Sequence, residues 1–377
     1  MSQVFPAHWD VLPFSLAVKD ATSEYSKLPK SEYLEQGRFP IVDQGQQKFG
    51  GYTDDESVVS LGGCPAVVFG DHTRIFKFID EPFCLGADGA KVLEPKVELD
   101  KKFLFYYLSS LNIESAGYSR HFKFLKENVV PVPPLPEQKR IAAILDKADA
   151  ICRKRQQAIQ LADDFLRAVF LDMFGDPVTN PKGFPIGTIR DLVATADYGS
   201  SAKASETYGE YPILRMGNIT YQGRIDLENL KYINLEEKEK SKYLVEKGDL
   251  LFNRTNSKEL VGKTAVYDMD DPMAIAGYLI RVRPNEMGNS HYISGYLNSA
   301  HGKATLRSIC KSIVGMANIN AQEMQNIPIM LPSIELQRKY QELVVATKCK
   351  LQAFDAALKL AEQAFNSLSY KAFSGQL

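Results

Sequence analysis

Apolar residues recur at alternating spacings of three and four along two stretches of the chain. In the first, Leu145, Cys152, Ile159, Leu166 and Met173 step by seven, with Ala148, Arg155, Ala162 and Val169 in the interleaved row. In the second, Val344, Leu351, Leu358, Phe365 and Ala372 step the same way, with Thr347, Phe354, Ala361 and Leu368 between them. This spacing puts apolar side chains on one stripe of a helix that packs against another helix. Arg155 is the one clear break. Each stretch runs without Pro or Gly for about 35 residues, which predicts helices roughly 50 Å long at ~1.5 Å rise per residue. A proline-rich extended lead-in precedes each, Val130 to Pro136 and Ile327 to Pro332, where proline excludes helix. Phe174-Gly175-Asp176-Pro177 stops the first helix and Phe373-Ser374-Gly375 the second.

The two stretches are copies. At an offset of 199 residues Val132, Pro133, Leu135, Gln138, Lys139 and Arg140 fall on Leu331, Pro332, Ile334, Gln337, Arg338 and Lys339, and the apolar rows fall on each other. One helix ends where a globular stretch begins and the other starts where it ends, so a compact intervening domain makes the helices antiparallel. A parallel pair needs that domain to carry the chain back about 50 Å, at a cost in closure entropy. The plainer alternative is a helical hairpin in an ordinary core. Short apolar runs bounded by Gly, Pro, Asn and Asp predict strands in the globular parts. Phe39 to Val42 resembles Tyr211 to Leu214, and Ala66 to Phe69 resembles Asp249 to Phe252. Helices are expected at Lys102 to Leu111 and Tyr292 to Arg307. The fold class is therefore α+β: two similar domains, each a twisted mixed sheet with a few helices, on two long antiparallel coiled-coil helices with an internal pseudo-two-fold repeat. Expected boundaries are 1–132, 133–176, 177–331 and 332–377.

Composition is that of a folded protein, 45% hydrophobic and 24% charged. Five dispersed cysteines without a CxxC pair fit a reducing cytoplasm. Met1 to Asp10 lacks the pattern of a signal peptide, and no window approaches a membrane span. The near-neutral total, 45 basic against 46 acidic residues, argues against nucleic acid unless the cations cluster.

Catalytic equipment is thin. Gly262-Lys263-Thr264 lacks the earlier glycine of a phosphate loop, since Ser257 stands there. No HExxH, GxSxG or GxGxxG occurs in the needed context, and most of the lone histidines (His8, His72, His121, His291, His301) are expected at surfaces or turns. Asn180-Pro181 continues as Lys182-Gly183, so the tetrapeptide of adenine amino-methyltransferases is absent as well. Amide and guanidinium groups do cluster after predicted strands. In the second copy these are Asn253, Arg254, Asn256, Lys258 and Lys263, with Arg215, Asn218 and Thr220 after another strand. Gln44, Gln46, Gln47, Lys48, Arg74 and Lys77 are their first-copy counterparts. Arg pairs with guanine and Asn or Gln with adenine in bidentate fashion, while Lys, Ser and Thr suit phosphate. Polar residues also populate loops for backbone reasons alone. In Tyr118-Ser119-Arg120-His121-Phe122-Lys123-Phe124, basic and aromatic residues alternate; this segment either grips a nucleic-acid backbone or is a strand with Phe122 and Phe124 in the core.

These features are similar to the type I restriction-modification specificity subunits, across nearly the whole chain. The residues that carry the resemblance are the proline lead-in to Glu137-Gln138-Lys139-Arg140-Ile141, the Phe174-Gly175-Asp176-Pro177 exit, Gly248-Asp249-Leu250-Leu251 continuing to Val261-Gly262-Lys263-Thr264, and Gly315-Met316-Ala317-Asn318-Ile319-Asn320 leading to Ile327-Pro328-Ile329. Two departures stand out: Leu336 replaces the glutamate of the first copy, and no Asn-Arg pair follows Phe69. The resemblance implies two target recognition domains, each reading half of a split asymmetric sequence in double-stranded DNA, with the helices setting the gap. Helices of that length can hold two readers about one B-DNA turn apart, on the order of 34 Å. It further implies no cofactor in this chain. Two methyltransferase subunits and restriction/translocase subunits would carry S-adenosylmethionine, ATP and Mg, and no membrane is involved. Two other classes compete: an adaptor whose helices merely tether partners, and a nuclease built on carboxylates such as Asp249 and Glu259.

Overall fold

The computed structural model describes residues 5–60, 63–115, 117, 119–313 and 315–377. Two 40-residue helices, Leu135–Phe174 and Ile334–Phe373, stand out; both ends of the second lie 199 positions beyond those of the first. Gly175 and Gly375 follow them in the left-handed region, at φ 80° and 71°. Every position of the two predicted apolar rows is buried or half-buried, Arg155 included.

The chain groups into two compact units, residues 1–156 with 356–377 and residues 157–355. The predicted boundaries made each long helix a segment of its own, whereas the compact units divide each helix. The reason is packing. In unit 1 the start of the central helix (Ile141, Ala142, Leu145) shares a core with the end of the distal helix (Phe365, Leu368, Ala372, Phe373). In unit 2 the end of the central helix (Leu166, Phe170, Phe174) packs with the start of the distal one (Tyr340, Val344). Within each unit the helices are thus antiparallel, as the repeat predicts.

Each unit builds two four-stranded sheets on the same plan. In unit 1 the first sheet has the order Val18–Asp20, Ala90–Pro95, Ala66–Gly70, Phe76–Ile79, with antiparallel neighbours throughout. Unit 2 repeats it as Val193–Tyr198, Leu279–Pro284, Leu250–Asn253, Thr264–Val266. In the second sheets Phe39–Val42 runs parallel to Cys84–Gly86, and Tyr211–Leu214 parallel to Met273–Ile275. The central strands are apolar without alternation because both faces are covered. Val67 and Phe69 face the helices while Ala66 and Val68 face the other sheet; Leu250 and Phe252 against Leu251 do the same in unit 2.

The structure corrects several local expectations. The stretch expected as one helix from Tyr292 to Arg307 is two, Ser290–Asn298 and Ala300–Ile309, because the Ser299 side chain accepts from Gly302 N and starts the second. Phe122 lies on a short helix, Phe122–Leu125, not on a strand, and its ring is in the core; Tyr118 lies outside the described residues. His8 and His72 are exposed and His301 is half-buried, in keeping with what is expected of most of the histidines, while His121 and His291 are buried. Asp249 is buried, and both its oxygens accept from Arg283, at 2.8 and 3.2 Å, so it is a structural anion and not a nuclease carboxylate.

A fully buried glutamine marks the start of each long helix. Gln138 Nε2 donates to Pro133 O at 2.7 Å and to Glu98 O at 3.1 Å, and its Oε1 accepts from Asp100 N at 2.7 Å. Gln337 Nε2 donates to Pro332 O at 2.9 Å and Met287 O at 3.0 Å. One side chain thereby ties the proline lead-in, the first helical turn and the loop ahead of the next domain helix. Farther along, Asp268 sits between His291 Nε2 at 3.2 Å and Lys348 Nζ at 2.6 Å. Burial raises its pKa, but the hydrogen bond from His291 and the Lys348 charge outweigh it and hold the carboxyl down at about 2.

Gln138→Ala strands buried donors and acceptors and is expected to cost about 2–3 kcal/mol in urea unfolding, more than Gln337→Ala, which loses two bonds instead of three. Asp268 contributes stability that is complete above the ordinary carboxylate pKa near 4 and is lost as pH falls toward 2. Asp268→Asn is therefore expected to lower stability at pH 7 by about 2 kcal/mol and to flatten the decline between about pH 4 and 2, as followed by thermal melting across that range.

Candidate nucleic-acid interface

The two groups of loop residues picked from the sequence of each copy meet in space. In unit 2 the loop at 215–220 and the segment at 253–263 converge on Met216 O, which accepts from Asn253 Nδ2 at 3.3 Å and Lys263 Nζ at 3.0 Å. In unit 1 Lys77 Nζ donates to Asp43 O at 2.7 Å with Asp43 Oδ1 at 3.6 Å, and Thr73 Oγ1 donates to Gln44 O at 2.6 Å. Lys77 on its edge strand and Lys263 just before the corresponding one are equivalent struts, each fastening one sheet to the turn after a strand of the other. Burial lowers the pKa of both amines, with Asp43 partly opposing this at Lys77.

Four residues taken as DNA contacts are thus committed inward. Lys77 and Lys263 serve backbone carbonyls. Asn218 is buried, with its Oδ1 accepting from Arg215 N and its Nδ2 donating to Asp226 O and Glu228 O, so it buckles its loop. Asn253 is buried on its strand beside Met216. Gln44 and Thr220 are half-buried; Gln44 Oε1 accepts from His72 N in the neighbouring turn at 3.3 Å, and Thr220 Oγ1 accepts from Arg224 N of its own loop at 3.0 Å. Strand-following position did not separate struts from readers, since both are polar and both sit at strand ends.

The remaining residues face outward in part or wholly. Gln46, Gln47, Lys48 and Arg74 are exposed in unit 1 and Lys258 in unit 2, with Arg215, Arg254 and Asn256 half-buried. Lys48 pairs with Asp80 and Glu81 at the surface. Arg74 has φ 65° and donates to Ile113 O at 2.9 Å, so its loop is shaped by a backbone turn that L residues rarely adopt.

Arg254 is held from two sides. Its guanidinium lies 4.7 Å over the Tyr198 ring and donates from one terminal nitrogen to Asn318 Oδ1 at 3.3 Å. Asn318 in turn donates to Thr255 Oγ1 at 2.8 Å. Here the expected loop after Phe252 is a strand: Thr255–Asn256 pairs with Met316–Asn318, which pairs with Lys311–Ile313, a small third sheet that unit 1 lacks among its described residues. A stacked, hydrogen-bonded guanidinium has lost its side-chain entropy before any ligand arrives, which favours bidentate recognition.

Tyr198 and Asn318 went unnoticed in the sequence as partners of Arg254. Asn318 lay inside a quoted motif, and only its pairing with Thr255, 63 positions earlier, shows its role. Also missed were two shallow grooves at corresponding sheet edges, one lined by Lys30, Tyr33 and Gln47, the other by Lys203, Tyr208 and Lys231. Exposed tyrosines beside glycines, as in Tyr208-Gly209, were the available signal.

The sequence profile described as Type I restriction modification DNA specificity domain matches residues 22–161 and 181–357. The chain is similar to the type I restriction enzyme EcoKI specificity subunit of Escherichia coli K12, with 24% identity over 267 residues, 66% of this chain and 57% of that one. To the StySPI specificity subunit of Salmonella potsdam it is 25% identical over 387 residues, 94% and 83% of the two chains. The match to the putative MjaX specificity subunit of Methanocaldococcus jannaschii is 27% over 44% of this chain and 39% of that one. The chain therefore spans little over half of the EcoKI subunit and well under half of the MjaX subunit. Its fold is like that of the S subunit of a type I restriction-modification system from M. genitalium, at a TM-score of 0.58, 18% identity and coverage of 97% and 96%. With one family profile matching twice, once largely within each unit, and covering most of the sequence, this chain belongs to the type I restriction modification DNA specificity domain family.

Proposed function

We propose that the chain is the noncatalytic DNA specificity subunit of a type I restriction-modification complex. Each unit reads one half of a bipartite asymmetric target, and the helix pair acts as the ruler between the halves. One observation supports this most: the two units keep the same scaffold, including the glutamine clamp and lysine strut, and differ in the polar groups they present. Unit 1 offers Gln46, Gln47, Lys48 and Arg74, whereas unit 2 offers Arg254, Asn256 and Lys258 in and beside the short strand Thr255–Asn256. Two readers of different sequences on one frame need that distribution. An adaptor has no use for it.

Methylation and cleavage belong, on this reading, to partner subunits, with S-adenosylmethionine, ATP and Mg. The long helices carry apolar residues at equivalent outward positions. Leu161 and Leu360 are 59% and 67% exposed, and Leu171 and Tyr370 are 49% and 72% exposed, each pair 199 positions apart. A repeated apolar face suits two copies of one methyltransferase subunit.

The direct test is the methylome of cells expressing this chain with its methyltransferase: a bipartite adenine motif is expected, and a continuous or degenerate one contradicts the reading. Within that motif, Arg254→Ala and Asn256→Ala are each expected to relax one base position of a single half-site, at about 1–3 kcal/mol per bidentate contact. Lys258→Ala should weaken binding to all sequences alike and reduce the salt slope by about one. Inserting one heptad into both helices is expected to lengthen the spacer, and a fixed spacer in that variant would remove the ruler.

A further inference from the structure

Unit 2 contains a cavity of about 270 Å³ for which DNA reading has no use. Its walls come from the end of the central helix, the start of the distal helix and the helices Ser290–Asn298 and Ala300–Ile309. Gly295 lets Tyr340 and Phe170 pack close on one wall, since a Cβ there would lie 2.7 Å from Tyr340 Oη and 2.9 Å from the Phe170 ring. Leu166, Phe170 and Val344 make one side apolar.

The polar side is short of negative charge. Lys303 is half-buried and has no carboxylate within ion-pair distance among the described residues. Its Nζ donates to Tyr221 O at 3.0 Å and rests 3.4 Å from that ring's centre. Burial, with the nearby charges of Arg167 and Arg307, pulls its pKa down to about 8. The two carboxylates on the walls are already engaged: Asp163 with Arg224 at 2.5 Å, Asp176 with the backbone of Val178 and Thr179. The first turn of the helix Ala300–Ile309 opens on the same space, and its positive end favours an anion.

Tyr340 supplies the independent observation. It is 4% exposed and lines the cavity, yet its hydroxyl has no hydrogen-bond partner among the described residues. Its neighbours Tyr292 and Tyr296 donate to Met330 O and Pro328 O at 2.7 and 2.6 Å. A buried phenol ordinarily finds an acceptor, and this one opens on the void.

We propose that the cavity binds a small organic anion, a carboxylate or phosphate on an apolar body, with Lys303 and the helix start holding the charge and Tyr340 donating a hydrogen bond. The volume lies just below the range for drug-sized ligands of ~300–1,000 Å³. Because the walls join both long helices to the domain helices, such a ligand ties unit 2 together and raises its stability with concentration.

Phenyl phosphate, benzoate and the neutral benzyl alcohol, titrated into the full chain by calorimetry and thermal melting, test this. Both anions are expected to bind and raise the melting temperature, and the alcohol is not. Lys303→Met should weaken binding at least tenfold, Lys303→Arg should restore most of it, and Tyr340→Phe, which keeps the ring and the packing, should weaken it several-fold. Absence of binding at 10 mM anion, or equal binding in Lys303→Met and Tyr340→Phe, overturns the proposal.

Discussion

A buried amide at the start of each long helix is the constraint on which the rest depends. Gln138 and Gln337 each reach the carbonyl of a proline that cannot itself donate, and each also reaches the loop ahead of a domain helix. Proline makes the lead-in stiff and leaves its carbonyls in need of donors. A glutamine five residues on supplies one from a side chain. The direction in which the helix leaves its proline lead-in is then fixed by buried bonds, and so is the position of the loop that starts the domain helix.

On that base the two sheets of each unit are held by apolar packing on both faces of the central strand and by one lysine turned inward, buried at Lys77 and half-buried at Lys263. A lysine without an anion is costly to bury. At Lys77 and Lys263 the cost is met by carbonyls at the turn the strut must hold, with Asp43 assisting only in the first. Polar groups on these surfaces therefore have two occupations. Some make the loop's shape, as Asn218 does from inside it. Others, such as Arg254 on Tyr198, are displayed by it. Chemistry alone does not separate them, because both need donors and acceptors in the same places.

Much of the architecture was legible in the sequence because it rests on periodicity. The seven-residue rows, the glycine stops and the copies at one offset all follow from helix geometry, and both helices begin and end in register. The strands at 39–42, 66–70, 211–214 and 250–253 were legible as apolar runs. What escaped depends on long-range contacts. The third sheet of unit 2 needs residues 255–256 to find 316–318, and a serine at 299 splits a helix whose apolar pattern runs on. Buried polar residues were the hardest: His121, His291, Lys77 and Asn218 read as surface groups by type, and only their partners make them interior.

Dividing each helix between the units has a consequence for the making of the protein. Residues 157–355 form one unbroken stretch, so unit 2 can close as soon as it leaves the ribosome. Unit 1 cannot. Phe103 and Tyr107 await Phe373, whose ring lies 5.7 and 5.3 Å from theirs, and that residue is made more than 200 positions after Leu145. At ~5–20 residues per second the gap is on the order of ten to forty seconds. Throughout that interval Phe103 and Tyr107 lack the ring that covers them, so unit 1, first in sequence, is the last to be completed.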